Sequence, residues 1–265
     1  MMLRLMFTSS GPRPLEAEDR RVELLGTHMV YREQGSGPLP VILLHGFGGW
    51  GGDWARVMKL LPGRILAPDL VGFGGSGRPR VRYSLATLHR YVLAFMDALA
   101  IDQAIVAGQS MGGSLAAWIA AHNPDRVRAV ALVAPSGYPG ALTYGRPLRW
   151  VFKPGRANAV ARRVAESAAF ERIFPRGYAR QALGMTASYD ASFAASIPKI
   201  SQPTLILWSR GDRTVPFHHS ARFTDAIAHA QLIPLDAQAG HFLNGNAPEQ
   251  VAAHLARFVL AARAA

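Results

Sequence analysis

Short runs of consecutive apolar residues alternate along the chain with longer stretches whose apolar positions recur every three or four residues. Val41-Ile42-Leu43-Leu44 is continuously apolar, the pattern of a strand buried on both faces. Residues 65–67, 104–107 and 205–208 repeat that pattern, and 127–133 and 231–235 also read as strands. Between them, 83–99 carries Leu85, Leu88, Val92, Phe95, Met96 and Leu99 at helical spacing. Residues 111–122, about 218–228, and a closing segment marked by Val251, Leu255, Phe258 and Val259 also read as helices. Upstream, 21–25 and 28–33 read as two strands of a hairpin joined at Gly26-Thr27. Strands alternating with helices predict an α/β fold with a mostly parallel sheet and right-handed crossovers.

Two segments break the rhythm. Residues 1–19 are Pro-rich and charged and read as a loose N-terminal arm. Residues 137–199 are rich in Arg and aromatics, with no buried-strand run, and read as a helical insertion. That leaves 20–136 and 200–265 as one core domain, with no internal repeat or low-complexity tract.

Composition narrows the function classes. The chain has 265 residues, 49% hydrophobic and 17% charged, a globular balance. No apolar run approaches the ~18 residues of a membrane span. The apolar N-terminus is interrupted by Arg4 and lacks a small-residue cleavage site, so no signal peptide is read and a cytoplasmic location is expected. With no cysteine, a disulfide, a thiolate zinc site and a cysteine nucleophile are excluded. The nine histidines show no H-E-x-x-H spacing, so no metal is expected. The net charge is +12, and residues 137–200, with ten basic and three acidic side chains, contribute +7 of it. Such a patch suits an anionic surface or an acidic carrier. Nucleic acid is not expected as a partner, because charge is its only support.

The chemistry centres on Gly108-Gln109-Ser110-Met111-Gly112, between the apolar run 104–107 and a helical pattern. A G-x-S-x-G serine in a strand–turn–helix setting is held on a sharp turn as a nucleophile. A serine hydroxyl is a poor nucleophile near neutral pH and needs a base, which needs a third group to fix its tautomer. Asp212 follows the strand at 205–208 and His241 follows the strand at 231–235, in the chain order Ser, Asp, His. Asp236 is too close to His241 on the same loop, and Asp225 falls on a helix, so neither displaces Asp212. An oxyanion needs donors, and we assign them to the backbone N–H groups of Met111 and of Phe47 in His45-Gly46-Phe47-Gly48-Gly49-Trp50. His45 reads as a structural residue of that loop. The Gly-rich runs match neither a P-loop nor a dinucleotide fingerprint.

These residues resemble the α/β-hydrolase superfamily over about 20–262. The resemblance is carried by His45-Gly46-Phe47-Gly48, Asp69-Leu70-Val71-Gly72-Phe73-Gly74-Gly75-Ser76, Gly108-Gln109-Ser110-Met111-Gly112-Gly113, Asn123-Pro124-Asp125-Arg126-Val127, Gly211-Asp212-Arg213-Thr214-Val215-Pro216 and Gly240-His241-Phe242. It implies an eight-stranded sheet flanked by helices, with 137–199 as a cap inserted after the sixth strand. The chain resembles the capped serine-hydrolase branch of small bacterial esterases, meta-cleavage-product hydrolases and cofactor-free haloperoxidase-like enzymes. The expected activity is ester hydrolysis through Ser110, His241 and Asp212, with a small-molecule ester as substrate and no cofactor. A carbon–carbon bond hydrolase of meta-cleavage type, and a thioesterase or acyl-carrier-protein esterase using the basic cap, stay open as alternatives. A serine at position 110 argues against dehalogenases and epoxide hydrolases, which place aspartate there. Phe47, Trp50, Tyr144, Trp150, Phe152 and Phe174 are the expected pocket walls. Asp69 and Ser76 match a loop that is usually structural.

Overall fold

Hydrogen bonds join eight strands into one sheet in the order β1-β2-β4-β3-β5-β6-β7-β8. The computed structural model describes residues 13, 15–138, 141 and 179–264. The strands are β1 (Arg20–Leu24), β2 (Thr27–Gln34), β3 (Val41–Leu44), β4 (Ile65–Pro68), β5 (Ala104–Gln109), β6 (Val127–Val133), β7 (Thr204–Ser209) and β8 (Ala230–Leu235). β1 and β2 pair antiparallel, β2 pairs antiparallel with β4, and every other pairing is parallel. β3, β4, β5 and β7 are buried at every position, as expected where helices cover both faces. β1 is largely exposed and sits at the sheet edge.

The hairpin turn lies one residue earlier than the sequence suggested. Leu24 pairs with Thr27, so Leu25 and Gly26 form the turn, with φ values of 47° and 73°. A two-residue turn of this hand needs positive φ at both central positions, which places the glycine second.

Among the described residues the α-helices are α1 (Ala55–Met58), α2 (Leu85–Ala98), α3 (Met111–His122), α4 (Ala179–Ala187), α5 (Ala191–Ser196), α6 (Ser220–Thr224), α7 (Leu243–Asn246) and α8 (Pro248–Ala264). Short 3₁₀ turns precede α1 at Gly51–Trp54 and α6 at Phe217–His219. α2 begins where the Ser84 hydroxyl accepts the Thr87 N–H at 3.1 Å, and its Leu85, Leu88, Val92, Phe95 and Met96 are buried. α5 is capped by Asp190, which accepts from Ser192 N and Phe193 N. α1 and α7 have four residues each, too few to show a helical period. No helix among the described residues is long and apolar enough to cross a membrane.

The strand order sets the functional end of the sheet. β3 lies between β4 on one side and β5 on the other, so the chain reverses its direction of progress there. The loops leaving the carboxyl ends of β3 and β5 therefore flank a crevice at a topological switch point.

The arm expected to be loose is held at its described end. Arg13 N–H donates to Gly74 O at 3.1 Å, its guanidinium grips both Asp19 oxygens at 2.5 and 2.8 Å, and Arg32 pairs with Glu16. Asp19 has a fully buried side chain, and a buried carboxylate with two guanidinium partners cannot let go cheaply.

Of the segment 137–199, residues 139–140 and 142–178 lie outside the described residues. The described end is helical and packs on the core. Gln181 Nε2 donates to Gly72 O at 3.4 Å, and Leu85 N donates to Ser188 Oγ at 3.2 Å. A Cβ on Gly184 of α4 would lie 1.9 Å from Tyr83 O, so helix and loop touch backbone to backbone. Gly184→Ala must push α4 off that carbonyl. Overpacking of this kind costs about 1–3 kcal/mol, and the melting temperature in calorimetry is expected to fall by roughly 2–10 °C.

Candidate active site

Ser110 sits between the end of β5 and the start of α3 with φ 53° and ψ −114°, a conformation L-residues rarely adopt. Such a residue costs of order 1–3 kcal/mol and persists only where its surroundings hold it. Here Ser110 N donates to Val133 O at 2.9 Å, and Ser110 O accepts from Ser114 N at 3.0 Å and Ser136 N at 3.2 Å. Both motif glycines are required by close approach. A Cβ on Gly108 would lie 2.1 Å from Gly112 O, and one on Gly112 would lie 2.2 Å from Leu44 O.

The structure brings the three residues expected for the chemistry into one hydrogen-bonded line. His241 Nε2 is 2.9 Å from Ser110 Oγ, and His241 Nδ1 is 2.7 Å from Asp212 Oδ2. Asp212 Oδ1 accepts from Thr214 N at 2.8 Å and Val215 N at 2.9 Å, which orients the carboxylate. A carboxylate only accepts, so it keeps the imidazole proton on Nδ1 and leaves the Nε2 lone pair facing the serine hydroxyl. Asp236 and Asp225 stay out of this line. Asp236 Oδ2 accepts from Gln250 of α8, and Asp225 closes α6.

The loop after β3 comes up against Ser110: a Cβ on Gly46 would lie 3.5 Å from Ser110 Cβ. Phe47 is the second residue of a turn closed by Gly49 N donating to Gly46 O at 3.1 Å, with Gly48 at φ 74°. Met111 is the first residue of α3, so its N–H has no carbonyl four residues back within the helix. The two amides assigned to an oxyanion thus belong to adjoining segments at the switch point.

His45 is scaffolding for that loop. Its Nε2 accepts the Leu70 N–H at 2.9 Å, and its Nδ1–H donates to Gly46 O at 2.7 Å. Complete burial pushes its pKa down, and the nearby Asp53 and Asp69 carboxylates offset only part of that. Asp69 likewise serves structure: Gly51 N and Gly75 N donate to it, each at 2.7 Å, and the Ser76 hydroxyl donates to its carbonyl.

Among the expected pocket walls, Phe47 packs edge-on against Phe73 at 5.5 Å. Trp50 has charged neighbours. The guanidiniums of Arg13 and Arg32 lie 4.0 and 4.4 Å from its ring centroid, because an electron-rich face attracts cations, and its six-membered ring lies against Gly52, where a Cβ would meet it at 2.3 Å. Tyr144, Trp150, Phe152 and Phe174 lie outside the described residues, as does most of the basic segment.

Several residues of the site carry no motif signal. Gln109 Nε2 donates to His241 O at 2.9 Å, tying the serine turn to the histidine loop. Its position inside G-x-S-x-G was the only hint. Beneath the turn, Ser114 Oγ donates to Ser136 O at 2.6 Å, and Ser136 Oγ donates to the Tyr189 hydroxyl at 2.8 Å.

Comparison with known proteins agrees with this architecture. The family described as alpha/beta hydrolase fold matches residues 40–167. The chain belongs to the α/β-hydrolase superfamily. It is 29% identical over 285 residues to 2-hydroxymuconate semialdehyde hydrolase of Pseudomonas putida, covering 96% of this chain and 99% of that one. It is 33% identical to a haloalkane dehalogenase of Bradyrhizobium diazoefficiens over 189 residues, covering 64% of this chain and 60% of that one. Among solved structures, meta-cleavage product hydrolase from Pseudomonas fluorescens IP01 superposes with a TM-score of 0.73 at 25% identity, covering 92% and 98% of the two chains. These relatives and the fold make this α/β-hydrolase a hydrolase.

Two measurements test the scaffold around the serine. Folded His45 binds a proton more weakly than an unfolded histidine of pKa about 6.5, so stability is lost as pH falls below that value. The melting temperature is expected to drop between about pH 7 and pH 5. His45→Asn, which keeps a donor for Gly46 O, is expected to flatten that drop. For Gln109→Ala, steady-state kinetics should show kcat reduced about tenfold with the melting temperature nearly unchanged, because the His241 loop loses a positioning contact.

Proposed function

We propose that this α/β-hydrolase cleaves carboxylic esters through a serine acyl-enzyme. The hydrogen-bonded line from Asp212 through His241 to Ser110 carries the reading. His241 Nε2 takes the Ser110 proton as Oγ attacks the ester carbonyl, and passes it to the departing alcohol. Asp212 holds the imidazole and stabilises its cationic form. Met111 N–H and Phe47 N–H receive the oxyanion, each such donor being worth about 2.7–4 kcal/mol. A water molecule then attacks the acyl-serine with His241 again as base. This sequence needs no cofactor. Residues 137–199 act as a cap, and the site takes a small-molecule ester.

Ser110 disfavours halide displacement. Alkylation of a serine oxygen would leave an ether that water does not cleave, whereas an aspartate nucleophile would leave a hydrolysable ester. A second reading, hydrolysis of a carbon–carbon bond next to a ketone, is favoured by relatives named 2-hydroxymuconate semialdehyde hydrolase, which match 84% and 96% of this chain. The same triad serves either reaction.

Ser110→Ala is expected to lower kcat on a short p-nitrophenyl ester about a thousandfold or more. A fluorophosphonate should add its mass to the Ser110 peptide of the wild-type chain. Full activity in Ser110→Ala would sink the reading. A panel of p-nitrophenyl esters from acetate to palmitate, run beside a dienoate ketone and a thioester, separates the two readings. Preference for the dienoate with weak ester turnover would favour carbon–carbon cleavage.

A further inference from the structure

We propose that Arg13, from the N-terminal segment, is a positioning residue for the loop that holds the Phe47 oxyanion donor. The inference rests on the serine-hydrolase reading of the site. Five of the seven residues from 46 to 52 are glycine, leaving Phe47 and Trp50 as the only side chains beyond hydrogen. A stretch this rich in glycine has little stiffness of its own and must be pinned from outside. An oxyanion donor is useful only when held at its position before the charge forms.

The pins are visible. His45 accepts the Leu70 N–H and donates to Gly46 O, which secures the start of the loop. Its far end is secured at Trp50 and Gly51, and Arg13 reaches both. The Arg13 guanidinium lies 4.0 Å from the centroid of the Trp50 indole, and that of Arg32 of β2 lies 4.4 Å from it. Arg13 Nε also donates to Asp69 Oδ2 at 3.1 Å, and Asp69 Oδ1 accepts the Gly51 N–H at 2.7 Å. Arg13 is itself locked by its fork onto Asp19 and by its own N–H on Gly74 O. Arg32 belongs to the sheet, whereas Arg13 reaches the indole from a segment outside the sheet. Arg13 does not touch the reacting atoms in this arrangement; it acts through Trp50 and Asp69.

The test compares wild type, Arg13→Ala and Arg13→Lys at 25 °C, with active sites counted by fluorophosphonate labelling of Ser110 so that unfolded chain does not contribute. Arg13→Ala is expected to lose about tenfold in kcat per labelled site with KM changed less than about twofold. Affinity for an alkylboronic acid, which forms a tetrahedral anionic adduct on the serine, should fall by the same factor. Arg13→Lys keeps the charge and tests the case in which the alanine variant does not fold. It should still lose at least about threefold in kcat, because an ammonium neither forks Asp19 nor lies flat on the indole. Arg13→Ala combined with Trp50→Leu should lose no more than the larger single loss, since the two act as one unit. A lower melting temperature with unchanged kcat and boronate affinity per labelled site would mean a merely structural role and overturn the proposal. A wild-type chain that takes no label, with Ser110→Ala still active, overturns the serine reading and this one with it.

Discussion

The backbone at Ser110 is the constraint on which the rest of the site depends. A residue with a side chain is held at positive φ where a strand buried on both faces turns directly into a helix. The local preference of the chain opposes this by of order 1–3 kcal/mol, so tertiary contacts must oversupply it. They come from three directions. β6 accepts the Ser110 N–H, the following turn donates to its carbonyl, and Gly108 and Gly112 let strand, helix and the end of β3 meet without side chains between them. The outcome is a hydroxyl projected at the carboxyl edge of the sheet, beside the first amides of α3.

From that point the sheet topology assembles the remaining chemistry. The reversal of strand order at β3 and β5 puts the glycine loop next to Ser110, while β7 and β8 deliver Asp212 and His241 from the same edge. None of these loops is left to itself. Asp212 is braced by two backbone amides, the His241 loop by Gln109, and the glycine loop by His45, Asp69 and the arginines beside Trp50. Much of the buried polar chemistry near the serine is therefore structural. His45 shows this plainly: both ring nitrogens are occupied by backbone groups, and burial keeps it uncharged.

β3, β4, β5 and β7 were legible because each holds a short apolar run, and burial on both faces demands that composition. α2 was legible through its period of three and four. α1, α7 and the 3₁₀ turns were not, since a single turn of helix carries no period. The hairpin turn at Leu25-Gly26 was misplaced by one residue because Gly-Thr and Leu-Gly are both plausible centres until pairing between Leu24 and Thr27 decides the register. The arm looked loose because proline and charge predict solvent, and only its neighbours show that Arg13 and Asp19 lock onto the core. Trp50 reads as a pocket wall because aromatics near a serine turn often are, and its two arginine neighbours, distant in sequence, appear only in the tertiary structure.

By itself the sequence determined the α/β alternation, the strand–turn–helix around Ser110, and the identity and order of Asp212 and His241. These are matters of residue type and local spacing, which chain chemistry writes directly. Only the tertiary structure decided the contacts between residues far apart in the chain: Gln109 on the His241 loop, Asp69 beneath Gly51, and Arg13 on Trp50. Such contacts depend on which loops the sheet order makes neighbours, and the order β4-β3-β5 is not written in any local stretch of the chain.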